Sequence, residues 1–267
     1  MRRFGLHVVL LTAMAWGALG QDETNSLFGV TIGGAVYYGP VEGFLQTPKG
    51  GNPGTSSSQR PTLKELGIDD TVYYDVTATF DWRHFEFYGG YQAISLDGSA
   101  TLSDPLTSHG LLFPAGDHVK STTDFDWWRV GIGWKFRLLD DHLEIMPKGE
   151  FALLDFNYNL SDSTQKAKRS YSKETFRLGL DTRYRINRVI SLSLSVEGAL
   201  PISDMPQIGN ITGGVEFDLL PDNTHIRPKL FIGGGAEWIN YEDNQTLPNH
   251  FRVDLGPYVT GGLKIAF

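Results

Sequence analysis

The chain has 267 residues, with 31 Asp or Glu against 23 Lys or Arg, a formal charge of −8 and no cysteine. This acidic balance argues against nucleic acid as a partner, because a phosphate backbone asks for clustered Lys and Arg, and the lack of thiols excludes a disulfide framework and a thiolate metal site. A mean hydropathy of −0.21 is too polar for a bundle of transmembrane helices.

The chain opens with Arg2 and Arg3, an apolar run from Leu6 to Trp16, and the small residues Ala18 and Gly20 ahead of Gln21. That order predicts an export signal at 1–20, cleaved after Gly20. The apolar run is too short to cross a bilayer as a helix, and the missing cysteine near residue 20 rules out a lipoprotein anchor. Losing Arg2 and Arg3 takes the basic residues from 23 to 21 against 31 acidic ones, a formal charge of −10. Residues 21–267 then form a single domain.

From Leu27 onward apolar residues recur at period two, the signature of strands. Ten are predicted, near 27–38, 70–83, 85–96, 123–137, 142–160, 171–186, 189–200, 210–220, 225–241 and 251–267. In the second, Val72, Tyr74, Val76, Ala78, Phe80 and Trp82 share one face, while Tyr73, Asp75, Thr77, Thr79, Asp81 and Arg83 share the other. Short connections at Arg83-His84, 138–141, Asn187-Arg188 and 221–224 alternate with long ones at 39–69, 97–122, 161–170, 201–209 and 242–250. Such alternation predicts an antiparallel up-and-down meander, all-β, with its short turns at one end. The strands are long enough for a tilted membrane crossing. Aromatic residues gather near both ends of the apolar band, with Trp82, Phe85, Trp134, Phe136 and Tyr184 by the short turns and Trp127, Trp128 and Trp238 by the long connections. Girdles of this kind favour a transmembrane barrel over a secreted sandwich.

Two features sit uneasily in regular strands. Pro147, Pro228 and Pro257 call for bulges. In the fifth strand the outward series Leu143, Ile145, Phe151, Leu153 gives way to Phe156, Tyr158, Leu160, which requires either a bulge near Leu153 and Leu154 or exit from the membrane.

Turning the apolar faces to lipid sends charges of both signs inward. The expected lumen network is Asp75, Asp81, Arg83, Glu86, Arg129, Lys135, Glu144, Lys148, Glu150, Arg177, Asp181, Arg183, Arg185, Glu197, Glu216, Asp218, Arg227, Lys229 and Glu237, with Asp254 and Lys264. Ten strands lie near the size at which side chains fill a barrel, so the first expectation is a salt-bridged, largely filled polar lumen. One wall is built of small residues, among them Ser191, Ser193, Ser195, Thr212, Gly214, Gly233, Gly235, Thr260 and Gly262. Either long side chains from the opposite wall occupy that space or a narrow, porin-like passage for small polar solutes remains.

On the last strand Leu255, Val259, Leu263, Ile265 and the terminal Phe267 are read as an outward series. With that ending, the chain from 21 to 267 resembles the small bacterial outer-membrane barrels of the OmpA and opacity-protein type. The resemblance implies integral insertion in the outer membrane, contact with its lipid and lipopolysaccharide, and Phe267 as the signal read by the barrel-assembly machinery. The chain departs from the eight strands of the smallest members, and with no domain after Phe267 the cell-wall tethering of larger members is not expected.

Chemistry is sparse. Some ten-stranded outer-membrane barrels are omptin proteases, and Asp124-Phe125-Asp126-Trp127 resembles their acidic pair, but the Asp/His half is missing. The bland alternative, a pair of solvated rim charges, is preferred. No catalytic residues, metal or cofactor are expected. Lys166, Lys168, Arg169 and Lys173 form the dense basic cluster, suited to lipopolysaccharide phosphates or equally to a solvated loop. The connection 39–69, with Pro48-Lys49-Gly50-Gly51-Asn52-Pro53-Gly54 and Ser56-Ser57-Ser58, reads as flexible and polar. The function expected is an envelope structural or surface-binding role, not an enzymatic one, its surface ligand undetermined.

Overall fold

The computed structural model describes residues 28–47, 59–223, 225–246 and 248–267. The expected export signal at 1–20 and the residues 48–58 of the first long connection lie outside them. The strands are β1 (Phe28–Gln46), β2 (Asp70–Trp82), β3 (Phe85–Thr101), β4 (Leu106–Ser108), β5 (Leu111–Phe113), β6 (His118–Trp134), β7 (Phe136–Leu138), β8 (Leu143–Ser161), β9 (Lys166–Arg185), β10 (Ile190–Ala199), β11 (Gln207–Asp218), β12 (Arg227–Glu242) and β13 (His250–Ala266). Ten of them form a ring: β1, β2, β3, β6, β8, β9, β10, β11, β12 and β13 each pair antiparallel with the next, and β13 returns to β1. The closed antiparallel barrel therefore has the expected ten staves. β7 continues β6 beyond Lys135, and β4 and β5 make a small separate hairpin.

Around the short-turn half the outer face is apolar. Val76, Phe80, Val130, Ile132, Leu178, Leu192, Ile232, Val259 and Leu263 are all exposed there, and their neighbours along each strand point inward with side chains that are polar or small, except for the aromatic rings of Phe231 and Tyr258. Aromatic pairs mark both limits of this belt, Phe85 against Trp134 at 4.5 Å and Tyr91 against Trp128 at 4.5 Å. Trp127, expected in the girdle, is turned inward and buried, because it and Trp128 occupy successive, opposite positions on β6.

Several strands run well past the belt, and in that upper section the two faces exchange character. On β8 the inward series continues without a break through Leu154, Phe156, Tyr158 and Leu160, and the pairing with β6 and β9 keeps one register throughout. The expected bulge near Leu153 is absent; the strand has left the apolar belt. Here the interior is a hydrophobic core that includes Ile94, Leu96, Phe125, Ile239, Tyr241, Phe251 and Val253, while Ser95, Asp97, Asn157 and Ser170 face out.

The long connections complete that core. Residues 39–46 belong to β1, and 59–69 folds back inside: Leu63, Leu66 and Ile68 are buried, with Leu63 N–H donating to Gly43 O and Leu45 N–H to Pro61 O, both at 3.0 Å. From the second connection Leu102, Leu106 and Phe113 enter the same core. The Ser108 hydroxyl, 2.9 Å from Thr47 Oγ1, donates to the Tyr158 hydroxyl at 3.1 Å. The described part of the 39–69 connection is thus a packed plug, and 161–170 is mostly strand.

Of the three prolines, Pro257 stands at a true bulge: the register of β13 shifts against both β12 and β1 at this level. Gly256 beside it takes φ 126°, a conformation that side chains with a Cβ rarely adopt. The extra residue reverses the parity above it, so Leu255 faces the core and Asp254 faces out, where it pairs with Arg252 at 2.8 Å. Pro147 produces no register shift; the ladder between β8 and the β6–β7 stave skips Met146 and Pro147 and resumes in step. Pro228 sits at the start of β12, also without a shift.

Candidate functional site

The interior of the short-turn half is a charged cavity of about 420 Å³. Strand alternation places its side chains, and each cation gathers the acids opposite. Arg129 on β6 meets Asp75 on β2 at 2.5 Å and lies 3.8 Å from Glu150 on β8. Arg177 on β9 holds Glu150 at 2.7 Å and Glu197 at 2.9 Å. Lys148 is shared by Asp181, at 2.9 Å, and Glu197, and Lys135 by Asp81 and Glu86 at 2.5 and 2.7 Å. Nearer the short turns, Arg183 reaches Glu216 at 3.0 Å with Glu144 at 3.8 Å, Lys264 reaches Glu216 at 2.6 Å, and Arg227 reaches Asp218 at 2.7 Å. Pairs of this kind offset the cost of taking charge out of bulk water.

Besides Asp254, which the bulge at Gly256-Pro257 turns outward, two residues expected in this network stand outside it. Arg83 occupies the β2–β3 turn with φ 57° and lies 5.8 Å over the Trp82 ring; a turn residue does not follow the strand's alternation. Arg185 ends β9 at the rim and is exposed. Lys229 points into the cavity without an acid at ion-pair distance among the described residues.

The wall of small residues is partly a set of sockets. Phe231 lies over Gly214 and Gly233 of this wall, and away from it, on β3 and β6, the Arg129 guanidinium lies over Gly90 and the Tyr88 ring over Gly131, so that an added Cβ at any of these glycines would collide. Phe231 is a lumen residue that sequence reasoning passed over, although its place two residues from Lys229 and Gly233 puts it on their face.

At the roof, Trp127 carries the guanidinium of Arg177 at 4.6 Å and that of Arg129 at 5.4 Å. Gln92 donates to both carboxylate oxygens of Glu237 at 2.8 and 2.9 Å, and Tyr37, Tyr73 and Tyr258 pack ring against ring. Above them begins the apolar core. Side-chain exposure is 2 % at Arg177 and Glu150 but 39 % at Lys264 and 35 % at Arg183, so the cavity is blind and opens at the short-turn end.

On the outside, the basic cluster is divided. Lys166 and Lys168 point outward on β9, and Lys120 on β6 lies in the same row as Lys166 with Ser161 of β8 between them. Arg169 and Lys173 point inward: Arg169 lies 5.6 Å over the Tyr171 ring, and Lys173 pairs with Asp204 at 2.9 Å and lies 5.4 Å over Tyr241. Four residues close in sequence thus fall on opposite sides of one wall. Asp124 and Asp126 lie on the outward face of β6; across the ladder stand Ser95, Asn157, Ala93 and Asp155, with no histidine in either row. Among the described residues no group of three or more His, Cys, Asp or Glu could hold a metal ion.

A closed β-barrel with a charged interior and an apolar outer belt edged by aromatics defines a membrane-spanning barrel of the outer-membrane type. No family model matches the chain, and no curated protein matches it. Among solved structures it is similar to Ail of Yersinia pestis, with 10% identity, 90% of this chain and 99% of that one covered, and a TM-score of 0.37. It is also similar to Neisserial surface protein A, at 9% identity, 91% and 98% coverage and 0.35, and to the toluene transporter TodX of P. putida, at 7%, 91% and 90%, and 0.34. At such scores the likenesses carry nothing about activity, and the class rests on the barrel's own geometry.

Proposed function

We propose that the chain is an integral protein of the bacterial outer membrane, exported by a cleaved signal at 1–20, that serves the envelope as a structural or surface-binding element and neither conducts nor catalyses. The short turns face the periplasm and the plugged section stands above the outer leaflet, the orientation favoured when short and long connections segregate. The terminal Phe267, whose N–H donates to Val30 O at 2.9 Å beside the β1–β13 closure, is the residue proposed to be read by the barrel-assembly machinery. Lys120, Lys166 and Lys168 on the outer face are the cations placed to meet lipopolysaccharide phosphates.

The observation that carries the reading is the plug. Leu63, Leu66 and Phe113 are wholly buried above the blind cavity, which opposes a porin-like role. Single-channel recording on refolded protein in planar bilayers tests it. We expect no steady current in the parent chain; a steady, ohmic conductance would overturn the proposal in favour of a narrow channel.

A further inference from the structure

The upper wall of the barrel has a notch. β10 ends at Ala199, paired with Arg177, and β11 begins at Gln207, paired with Asn240. Their neighbours stand taller: beyond that level β9 extends to Lys166 with β8 as its one ladder partner among the described residues, and β12 extends to Glu242 with β13 as its own. The upper section is therefore two staves short, and a strand occupies only about 4.8 Å of a sheet. Leu200 N–H donates to Phe176 O at 2.8 Å at the foot of the notch. The Phe176 carbonyl thus points into it, and strand alternation turns the N–H and C=O of Glu174, Ser172, Ser170, Lys168 and Lys166 the same way. All five residues are exposed, and among the described residues no backbone group pairs with them on this side. Behind the notch the rings of Tyr171 and Tyr241 meet at 5.6 Å. A free edge of this kind is a template for an added strand.

We propose that the notch binds an extended, acidic segment of another protein, which adds to β9 as a further strand. The sign of the partner follows from the edge itself. Lys166, Lys168, Arg169 and Lys173 stand along it against Glu174; Lys173 is held by Asp204, and among the described residues no carboxylate is at ion-pair distance from Lys166, Lys168 or Arg169. A second copy of this chain set edge to edge would oppose like charges, which destabilises a sheet. The sequence 48–58 brings Lys49 and no acid. An acidic strand instead offers carboxylates to the three free cations, gives its backbone to the notch-facing groups of β9, and rests its inner side chains on Tyr171 and Tyr241. The inference deepens the surface-binding reading and rests on it for a partner outside the cell; the notch itself is independent of whether the barrel conducts.

The probe is a fluorescein-labelled peptide of five Glu-Val repeats, Val being a strong strand former, followed by anisotropy as the refolded chain is added in a nonionic detergent. Saturable binding is expected. It should weaken about tenfold or more in Ser170→Pro, which removes a notch-facing N–H and leaves the β8 ladder intact. It should also weaken in Lys168→Gln and hold in Asn157→Ala on the outer face of β8. Circular dichroism checks that each variant is folded; should Ser170→Pro not fold, Ser172→Pro gives the same readout. A peptide of five Glu-Pro repeats has the same charge but cannot build a ladder, and it should not bind. Equal binding of the two peptides, or no loss in the folded Pro variant, reduces the contact to charge and overturns the proposal. Absence of saturable Glu-Val binding in the parent chain overturns it outright, and lipopolysaccharide offered in the peptide's place then distinguishes a lipid site from lysines that only guard the edge.

Discussion

Along β8 the inward residues near the short turns are Glu144, Met146, Lys148 and Glu150; beyond Ala152 they are Leu154, Phe156, Tyr158 and Leu160, while the outward series changes from Ile145, Gly149 and Phe151 to Asp155, Asn157 and Asn159. One unbroken strand thus serves two sections with opposite polarity. Alternation records only that a wall has two sides, and what lies beyond each side decides which residues it needs. In the apolar belt the outside is hydrocarbon, so polar side chains turn inward and satisfy one another. Above the belt the outside is water, and the hydrophobic effect stabilises an apolar interior by about 1.5–3 kcal/mol for each large side chain fully buried.

The sharpest test of this contrast sits in the upper section. Phe156 packs on Phe125, Tyr171 and Phe251 with ring centres 4.9–5.3 Å apart. Phe156→Ala should cost about 3–5 kcal/mol in denaturant unfolding of the refolded protein. Its neighbour Asn157 faces out, and Asn157→Ala should stay within about 0.5 kcal/mol. Similar losses at both positions would break the two-section account.

In the belt the rule reverses, with a somewhat smaller effect. Val76 and Leu192 are exposed on the outer face, whereas Thr77 and Ser193 line the cavity. An Arg at the lipid midplane of such a barrel costs about 2–4 kcal/mol, so Val76→Arg and Leu192→Arg should lower stability in lipid vesicles clearly more than Thr77→Arg and Ser193→Arg. Equal costs in all four would remove the lipid from the outer face.

The belt section was the readable one. From Val72 to Trp82 no charge interrupts the apolar series, so facing, and with it most of the lumen network, followed directly from parity. Arg83 and Arg185 misled because the alternation was carried past the point where the strand stops facing a lumen. Leu255 and Asp254 misled because the bulge at Gly256-Pro257 adds one residue, while the sequence alternates acceptably on either side of it. The plug was illegible for a different reason: Leu63, Leu66, Ile68, Leu102, Leu106 and Phe113 follow no period, and only their density in the two long connections could have signalled a second core. The four basic residues from Lys166 to Lys173 form a patch in sequence only, because on a strand nearness along the chain is not nearness on a face.

The smallest expected effect concerns the seam between the sections. β10 and β11 end early, at Ala199 and Gln207, and residues 200–206 bridge the low wall between the taller β9 and β12. Asp204 in this bridge accepts hydrogen bonds from Lys173 Nζ at 2.9 Å and from the Tyr241 hydroxyl at 3.1 Å, latching the bridge to both tall strands. The hydrogen bond from Lys173, with that of Tyr241, holds the Asp204 carboxyl below its usual range. A carboxyl depressed on folding adds stability that is fully present above its unfolded value, near 3.9, and that is lost as pH falls through the lower folded value. Because the pair is partly solvated, its worth is about 0.2–1 kcal/mol. A spin label at the exposed Ser203 should therefore be restrained at pH 7 and become freer as pH drops below about 3.9. In Asp204→Asn, which keeps a residue tolerant of the positive φ of 62° found there, mobility should no longer depend on pH in that range. A label equally mobile at both pH values in the parent chain, or a pH response that survives Asp204→Asn, would show that the bridge is held by its apolar neighbours and not by the charged latch.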